Sequence, residues 1–206
     1  MNSTRRILYL GIDAPLGVFH YPVIATTRIE SPLLNEALSL WDRFTHILFT
    51  SKNGVRHWPG GISEKITIAI GEATAEEIRK RGAIPLIANE ATQEGVVALL
   101  ETLDLREAYI LYPRSKLARP HLSNYLKEKN IEHFAFDLYD TVFQKPALEP
   151  DLEAFDEIIF TSPSTVEAFF RIYPSVPRRL LLTPIGPITK KALEERLSES
   201  DSSIHC

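Results

Sequence analysis

FTSKNGV (49–55) and FTSPSTV (160–166) are nearly the same phrase, and each closes an apolar run: THILFTS (45–51) and DEIIFTS (156–162). Each is followed by a second run that ends in glycine and then threonine, within ITIAIGEATAEEI (66–78) and LLLTPIGPITKKAL (180–193). Laying Thr50 on Thr161 takes an offset of 111, and laying Gly71 on Gly186 takes one of 115. Two related units with loops of different length account for both offsets.

Working outward, short β-rich runs alternate with helical patterns of about ten residues, the pattern of βα units and parallel sheets. Strands are predicted at 5–10, 45–51, 66–71, 83–88, 108–113, 156–162 and 181–186. Helices are predicted at 73–82, with Thr74 and Glu77 as a capping box and Gly82 beyond its end, and at 92–103 from a Thr92 cap. A third, at 118–130, tolerates Pro120 only in its first turn. The fold class is therefore α/β, with two small parallel-sheet domains.

Two extended segments lie at the junctions, HYPVIATTRIE (20–30) and IEHFAFDLYDTVFQK (131–145), both rich in β-branched and aromatic residues. The chain is expected to begin one domain, build the other in full, and cross back. This gives a continuous, flavodoxin-like domain over 30–137. A discontinuous one is made of 1–29 plus 142–206, and a two-stranded β-ladder serves as the hinge.

With 206 residues, 44% of them hydrophobic and 24% charged, the chain has the composition of a folded globular protein. A net charge of -4 gives no basic field, so no nucleic-acid partner is expected, and an anionic ligand must be met by local groups. The apolar stretch near the start is broken by Gly11 and Asp13, too short for a leader or a span, so no membrane association and a cytoplasmic location are expected. A single cysteine, Cys206, excludes an internal disulfide. The six histidines form no HxxxH pair, so no metal site is expected, and no GxGxxG or P-loop points to a nucleotide.

The repeated phrase has a chemical reading. A strand that ends in Thr-Ser and turns straight into a helix leaves backbone N–H groups unpaired beside hydroxyls, a place for an anion. In the first copy these are Thr50, Ser51, Lys52 and Asn53, with Gly71 and Thr74 at the next strand end. In the second they are Thr161, Ser162 and Ser164, with Gly186 and Thr189. Helix capping alone is the competing reading. Arg114, Ser115 and Lys116 follow the strand YILYP, where they can meet carboxylates or form a solvated loop.

The segments ILFTSKNGV, AIGEATAEEIRKRG, ATQEGVVALL, ILYPRSKLARPHLSNYLKEKNIEHFAFDLYDTV, EIIFTSPSTVEAFF and PIGPITKKALEE, in this order over roughly 40–195, resemble the uroporphyrinogen-III synthase family. The resemblance implies two α/β domains on a β-ladder, with the active-site cleft between them. It implies a cofactor-free hydro-lyase of tetrapyrrole biosynthesis that closes hydroxymethylbilane to uroporphyrinogen III, inverting ring D and releasing water. The LYDTV strand end matches the family's junction tyrosine, which makes Tyr139 the candidate acid for the departing hydroxyl, with a structural hinge residue as the alternative. A monomer is expected, with neighbouring pathway enzymes as the proteins it could touch.

Two departures from the family pattern stand out. ILYLGIDAPLG runs almost directly into HYPVIA, so the first helix is expected to be reduced to a turn and an arginine is lacking at Leu10 or Gly11. The chain also stops at SSIHC, where the family generally continues. A non-catalytic two-domain binder of a small polyanion would share these features and be told apart by lack of turnover. A sugar-nucleotide transferase is the third reading, and it predicts nucleotide binding.

Overall fold

The computed structural model describes residues 5–202; Cys206 and His205 lie outside them. The strands are β1 (Ile7–Tyr9), β2 (Phe19–His20), β3 (Ile24–Arg28), β4 (His46–Phe49), β5 (Ile66–Ala69), β6 (Leu86–Ile87), β7 (Tyr109–Ser115), β8 (Glu132–Phe143), β9 (Glu157–Phe160) and β10 (Leu181–Pro184). The helices are α1 (Pro32–Ser39), α2 (Lys52–His57), α3 (Glu72–Lys80), α4 (Gln93–Leu100), α5 (His121–Glu128), α6 (Pro163–Ile172) and α7 (Pro187–Ser202). Among the described residues, no helix is long and apolar enough to cross a membrane.

The chain divides into two compact units, Thr26–Asp140 and a split unit of the residues up to Ala25 and from Thr141 onward. The divisions fall inside β3 and β8, which are neighbours in the six-stranded sheet.

In the continuous unit the strand order is β3-β8-β7-β4-β5-β6, with parallel pairing from β8 through β6. Alternation along the strands sends side chains to two cores. Ile47, Phe49 and Leu111 pack with Leu34, Val55 and Ile78 from α1, α2 and α3. Leu48, Ile68 and Ile110 pack with Val96, Leu100, Leu122 and Leu126 from α4 and α5. Strands buried on both faces read as unbroken apolar runs, which is why HILF is legible as a strand.

The split unit has the order β10-β9-β1-β2, all parallel. Its core gathers Leu8, Ile158 and Phe160 with Val166, Phe169 and Leu193 from α6 and α7. Ile7, Tyr9 and Ile159, which alternate with those strand residues, are only half-buried.

Strand register explains the repeat. His46 pairs with Ile66 and Ile110 as Glu157 pairs with Leu181 and Ile7. The two offsets noted in the sequence are thus two adjacent pairs of equivalent strands, β4 with β9 and β5 with β10. The same register sets β7 on β1, aligning ILYPR (110–114) with ILYLG (7–11). The split unit is therefore a shortened, circularly permuted version of the continuous one. No helix joins β1 to β2, as the reduced ILYLGIDAPLG segment led one to expect.

Several local readings need correction. Thr74 does not cap α3: the cap is Gly71, and the Thr74 N–H instead donates to the Gly71 carbonyl (3.1 Å) with its side chain buried. Thr189 is likewise buried within α7. Both helices begin earlier than the hydroxyls suggest, after a Gly71 packed too closely on Ala91 for a side chain and after a left-handed Gly186 (φ 82). The strand expected over 83–88 is only Leu86–Ile87, and α1, capped by Ser31 ahead of Pro32, was not anticipated from the sequence. Gly82 is left-handed after α3 (φ 80) and Thr92 caps α4, both as expected.

Gly95 gives a stability test. Glycine to alanine inside a helix ordinarily gains about 0.5–1 kcal/mol. Here an added Cβ would run into the Glu90 carbonyl oxygen, so overpacking reverses the sign. Gly95→Ala is expected to lower stability by about 1–3 kcal/mol, read as a lower urea midpoint at an unchanged slope.

Candidate functional site

In the continuous unit the chain leaves β4 toward β5 on one side and later returns to place β7 on the other. At such a reversal the helices on neighbouring strands diverge and leave a crevice at the strands' carboxyl ends. A pocket of about 270 Å³ lies there, lined by Thr50 after β4, Ile70 after β5, Ser115 at the end of β7, Thr92 and Gln93 at the start of α4, Arg119, and Tyr139 from β8.

Tyr139 reaches this pocket through an irregularity in pairing. Arg114 opposes Asp137, but the next residue, Ser115, opposes Tyr139, so one extra β8 residue is absorbed at that point. The Tyr139 ring is buried, with the Ser51 and Ser115 hydroxyls near enough to its phenol to act on its ionisation. Burial raises its pKa above the ordinary tyrosine value of 10.0, with the two serines pulling in the other direction. The group is a neutral phenol at neutral pH, able to give up a proton to a developing hydroxide. Ser51 is fixed as the cap of α2, accepting from the Asn53 N–H at 3.0 Å. Ser115 accepts from the Leu117 N–H at 3.1 Å, and the Lys116 N–H donates to the Tyr139 carbonyl at 2.9 Å.

The other expected residues sort by unit. Lys52 and Asn53 form the first turn of α2, and Gly71 begins α3 where a Cβ would meet Ala91 Cβ at 2.8 Å. Arg114 donates to Asp137 (2.9 Å) and to Ser123 Oγ (2.8 Å), and Lys116 donates to Asp140 (3.1 Å). Both cations at the end of β7 thus already hold carboxylates of β8.

In the split unit, Thr161, Ser162 and Ser164 lie at the β9–α6 junction. There the N–H groups of Thr161 and Ser162 both donate to Thr165 Oγ1 at 3.1 Å, so these two donors are held within the junction. Gly11, equivalent to Arg114, has no room for a side chain: a Cβ would stand 2.7 Å from Thr161 Cγ2. Gly186 is exposed with φ +82.

Three polar pocket residues, Thr92, Gln93 and Arg119, had no functional reading in the sequence. Thr92 was read only as a cap. Gln93 is buried, its amide donating to the Arg119 carbonyl (3.2 Å) and accepting from the Leu122 N–H (3.1 Å). Arg119 forms a fork to Glu94 at 3.0 and 2.9 Å. Outside the pocket lining, His57, also without a functional reading in the sequence, stacks its ring on Tyr139 at 5.4 Å between centroids. The contacts of Gln93, Arg119 and His57 form between residues far apart in the chain and left no local signal, while the Thr92 cap gave no hint of a pocket.

The family model for uroporphyrinogen-III synthase HemD matches residues 14–200. The chain belongs to this family. It is 27% identical over 197 residues to the "Putative uroporphyrinogen-III synthase" of Methanothermobacter thermautotrophicus, covering 84% of this chain and 78% of that protein. In fold it is similar to the uroporphyrinogen-III synthetase of Helicobacter pylori, with a TM-score of 0.67 at 19% identity over 94% of this chain and 89% of that one. The uroporphyrinogen III synthase of Thermus thermophilus, in a mutant form, gives a TM-score of 0.56 at 19% identity, covering 94% and 89%. The sequence resemblance to the synthases is thereby borne out, and the activity that goes with the family is that of a hydro-lyase.

The Arg119–Glu94 fork gives a titration test. Hydrogen bonding to Arg119 lowers the Glu94 pKa from 4.5 to about 2. A depressed carboxyl contributes stability above its unfolded pKa and loses it as pH falls through the folded one. Carboxyl NMR should place the Glu94 midpoint near 2, and Arg119→Ala should return it toward 4.5.

Proposed function

We propose that this HemD-family chain closes hydroxymethylbilane to uroporphyrinogen III, with Tyr139 as the acid for the leaving hydroxyl. The observation that carries the proposal is the buried, neutral Tyr139 phenol that lines, with Ser115, the pocket where the strand order reverses.

The chemistry divides into positioning and proton transfer. Tyr139 gives its proton to the ring A hydroxyl, which departs as water and leaves an electrophilic azafulvene. Ring D attacks it through its substituted carbon to form a spiro intermediate, which fragments and recloses inverted. The ring D carbon that finally closes the macrocycle sheds its hydrogen, and that proton restores the phenol. Positioning of the reacting rings supplies the inversion, while a placed acid adds on the order of 100-fold to 10,000-fold.

The pocket, about 270 Å³, is smaller than the 300 Å³ or more usual for a drug-sized ligand. It suits one end of the tetrapyrrole, with its carboxylates toward Arg119 and the hydroxyls of Thr50 and Thr92.

The test is turnover of freshly prepared hydroxymethylbilane with separation of the type I and type III isomers. Faster type III formation than without enzyme is expected; tight binding with only the uninverted isomer would mark a binder instead. Tyr139→Phe should slow type III formation at least about tenfold, roughly 1.4 kcal/mol of barrier, with the inverted isomer still dominant. Unaltered single-turnover rates in that variant would remove Tyr139 from the chemistry. Ser51→Ala should weaken substrate binding by only about 0.5–2 kcal/mol, the scale of a lost cap.

A further inference from the structure

α2 grips Tyr139 from both of its ends. Ser51, at the amino end, brings its hydroxyl near the phenol, and His57, the last helical residue, lies against the ring face at 5.4 Å and 23° between planes. Between them is Gly54, buried, where an added Cβ would stand 3.9 Å from Tyr139 Cε1 and 3.4 Å from Phe49 Cδ1. The helix backbone therefore passes close to the tyrosine ring along its length. The His57 ring is itself held: Nε2 is 2.8 Å from Thr26 Oγ1 on β3. Burial lowers the His57 pKa, and Arg28 and Arg56 lower it further, so the stacked ring is a neutral imidazole at neutral pH.

We infer that His57 is a positioning residue for the reaction, locking the Tyr139 ring between its own face and the Ser51–Ser115 hydroxyls through a brace that continues to Thr26. Stacked rings at this separation attract beyond their mere burial, in an offset geometry that restricts sliding and tilt. A phenol whose ring can tilt moves its hydroxyl by far more than its Cα, and a misplacement of about 1 Å in a reacting group can cost a hundredfold in rate. The inference rests on Tyr139 serving as the acid.

The experiment is a double-mutant cycle on type III formation under single-turnover conditions, pairing His57→Ala with Tyr139→Phe. His57→Ala alone should lower the rate constant at saturating substrate by about tenfold, with little change in substrate affinity. In the Tyr139→Phe background the same change should have almost no effect, because the hydroxyl to be placed is gone. His57→Phe keeps a flat ring on the tyrosine face and should recover most of the rate. Thr26→Val loosens the ring without removing it, which keeps the test available should His57→Ala fail to fold; its smaller loss should also vanish in the Tyr139→Phe background.

A His57→Ala or Thr26→Val effect that persists undiminished with Tyr139→Phe would overturn the inference, as would an unchanged rate in both single variants. Failure of the His57→Phe rescue would also overturn it, since an imidazole-specific role would then replace the stacking one. Failure of the underlying reading shows separately, in the Tyr139→Phe single variant.

Discussion

Parallel pairing of β4 with both β5 and β7 is the constraint from which the site follows. Parallel strands bring their carboxyl ends to one rim, and the order β8-β7-β4-β5-β6 reverses direction at β4. The crevice left there is walled by whatever residues happen to end those strands. In this chain they are Thr50, Ile70 and Ser115. The irregular step in β7–β8 pairing then adds the tyrosine, by carrying Tyr139 rather than Leu138 opposite Ser115. Two purely backbone properties, strand direction and one register shift, thus assemble three hydroxyls in one place.

The two units show the same framework put to different use. In each, a Phe-Thr-Ser strand end adjoins an Ile-Leu-Tyr strand. In the continuous unit Ser51 turns its hydroxyl to Tyr139. In the split unit Thr165 consumes the local N–H groups, and Thr161 fills the space that Gly11 leaves. The Arg114 position has become a glycine against which a threonine packs, so a polar contact has been exchanged for a steric one. With no helix between β1 and β2, half-buried Ile7, Tyr9 and Ile159 lie where the continuous unit has α4 and α5.

Charge in the continuous unit is balanced before any substrate arrives. Arg114 holds Asp137, Lys116 holds Asp140, and Arg119 holds Glu94. Solvent-exposed pairs of this kind are weakened by water and salt and contribute little to stability. Held in pairs, these cations leave no cluster of unneutralised positive charge beyond β7.

The sequence alone determined the α/β class, the repeated unit and its two offsets, because a strand buried on both faces needs a continuous apolar run and a strand-to-helix turn needs hydroxyls or glycine. It also singled out Thr50, Ser51 and Ser115 by their place at strand ends, and Tyr139 through the family pattern, all local in the chain. Only the tertiary structure decided that the units are circular permutations, since that depends on which strands pair rather than on their order in the chain. It decided too that Gly71, not Thr74, begins α3, because the close approach to Ala91 admits no side chain. The stacking of His57 on Tyr139 and the clasp of Gln93 on the Arg119 loop join residues 82 and 26 positions apart, and no pattern of neighbours in sequence encodes such contacts.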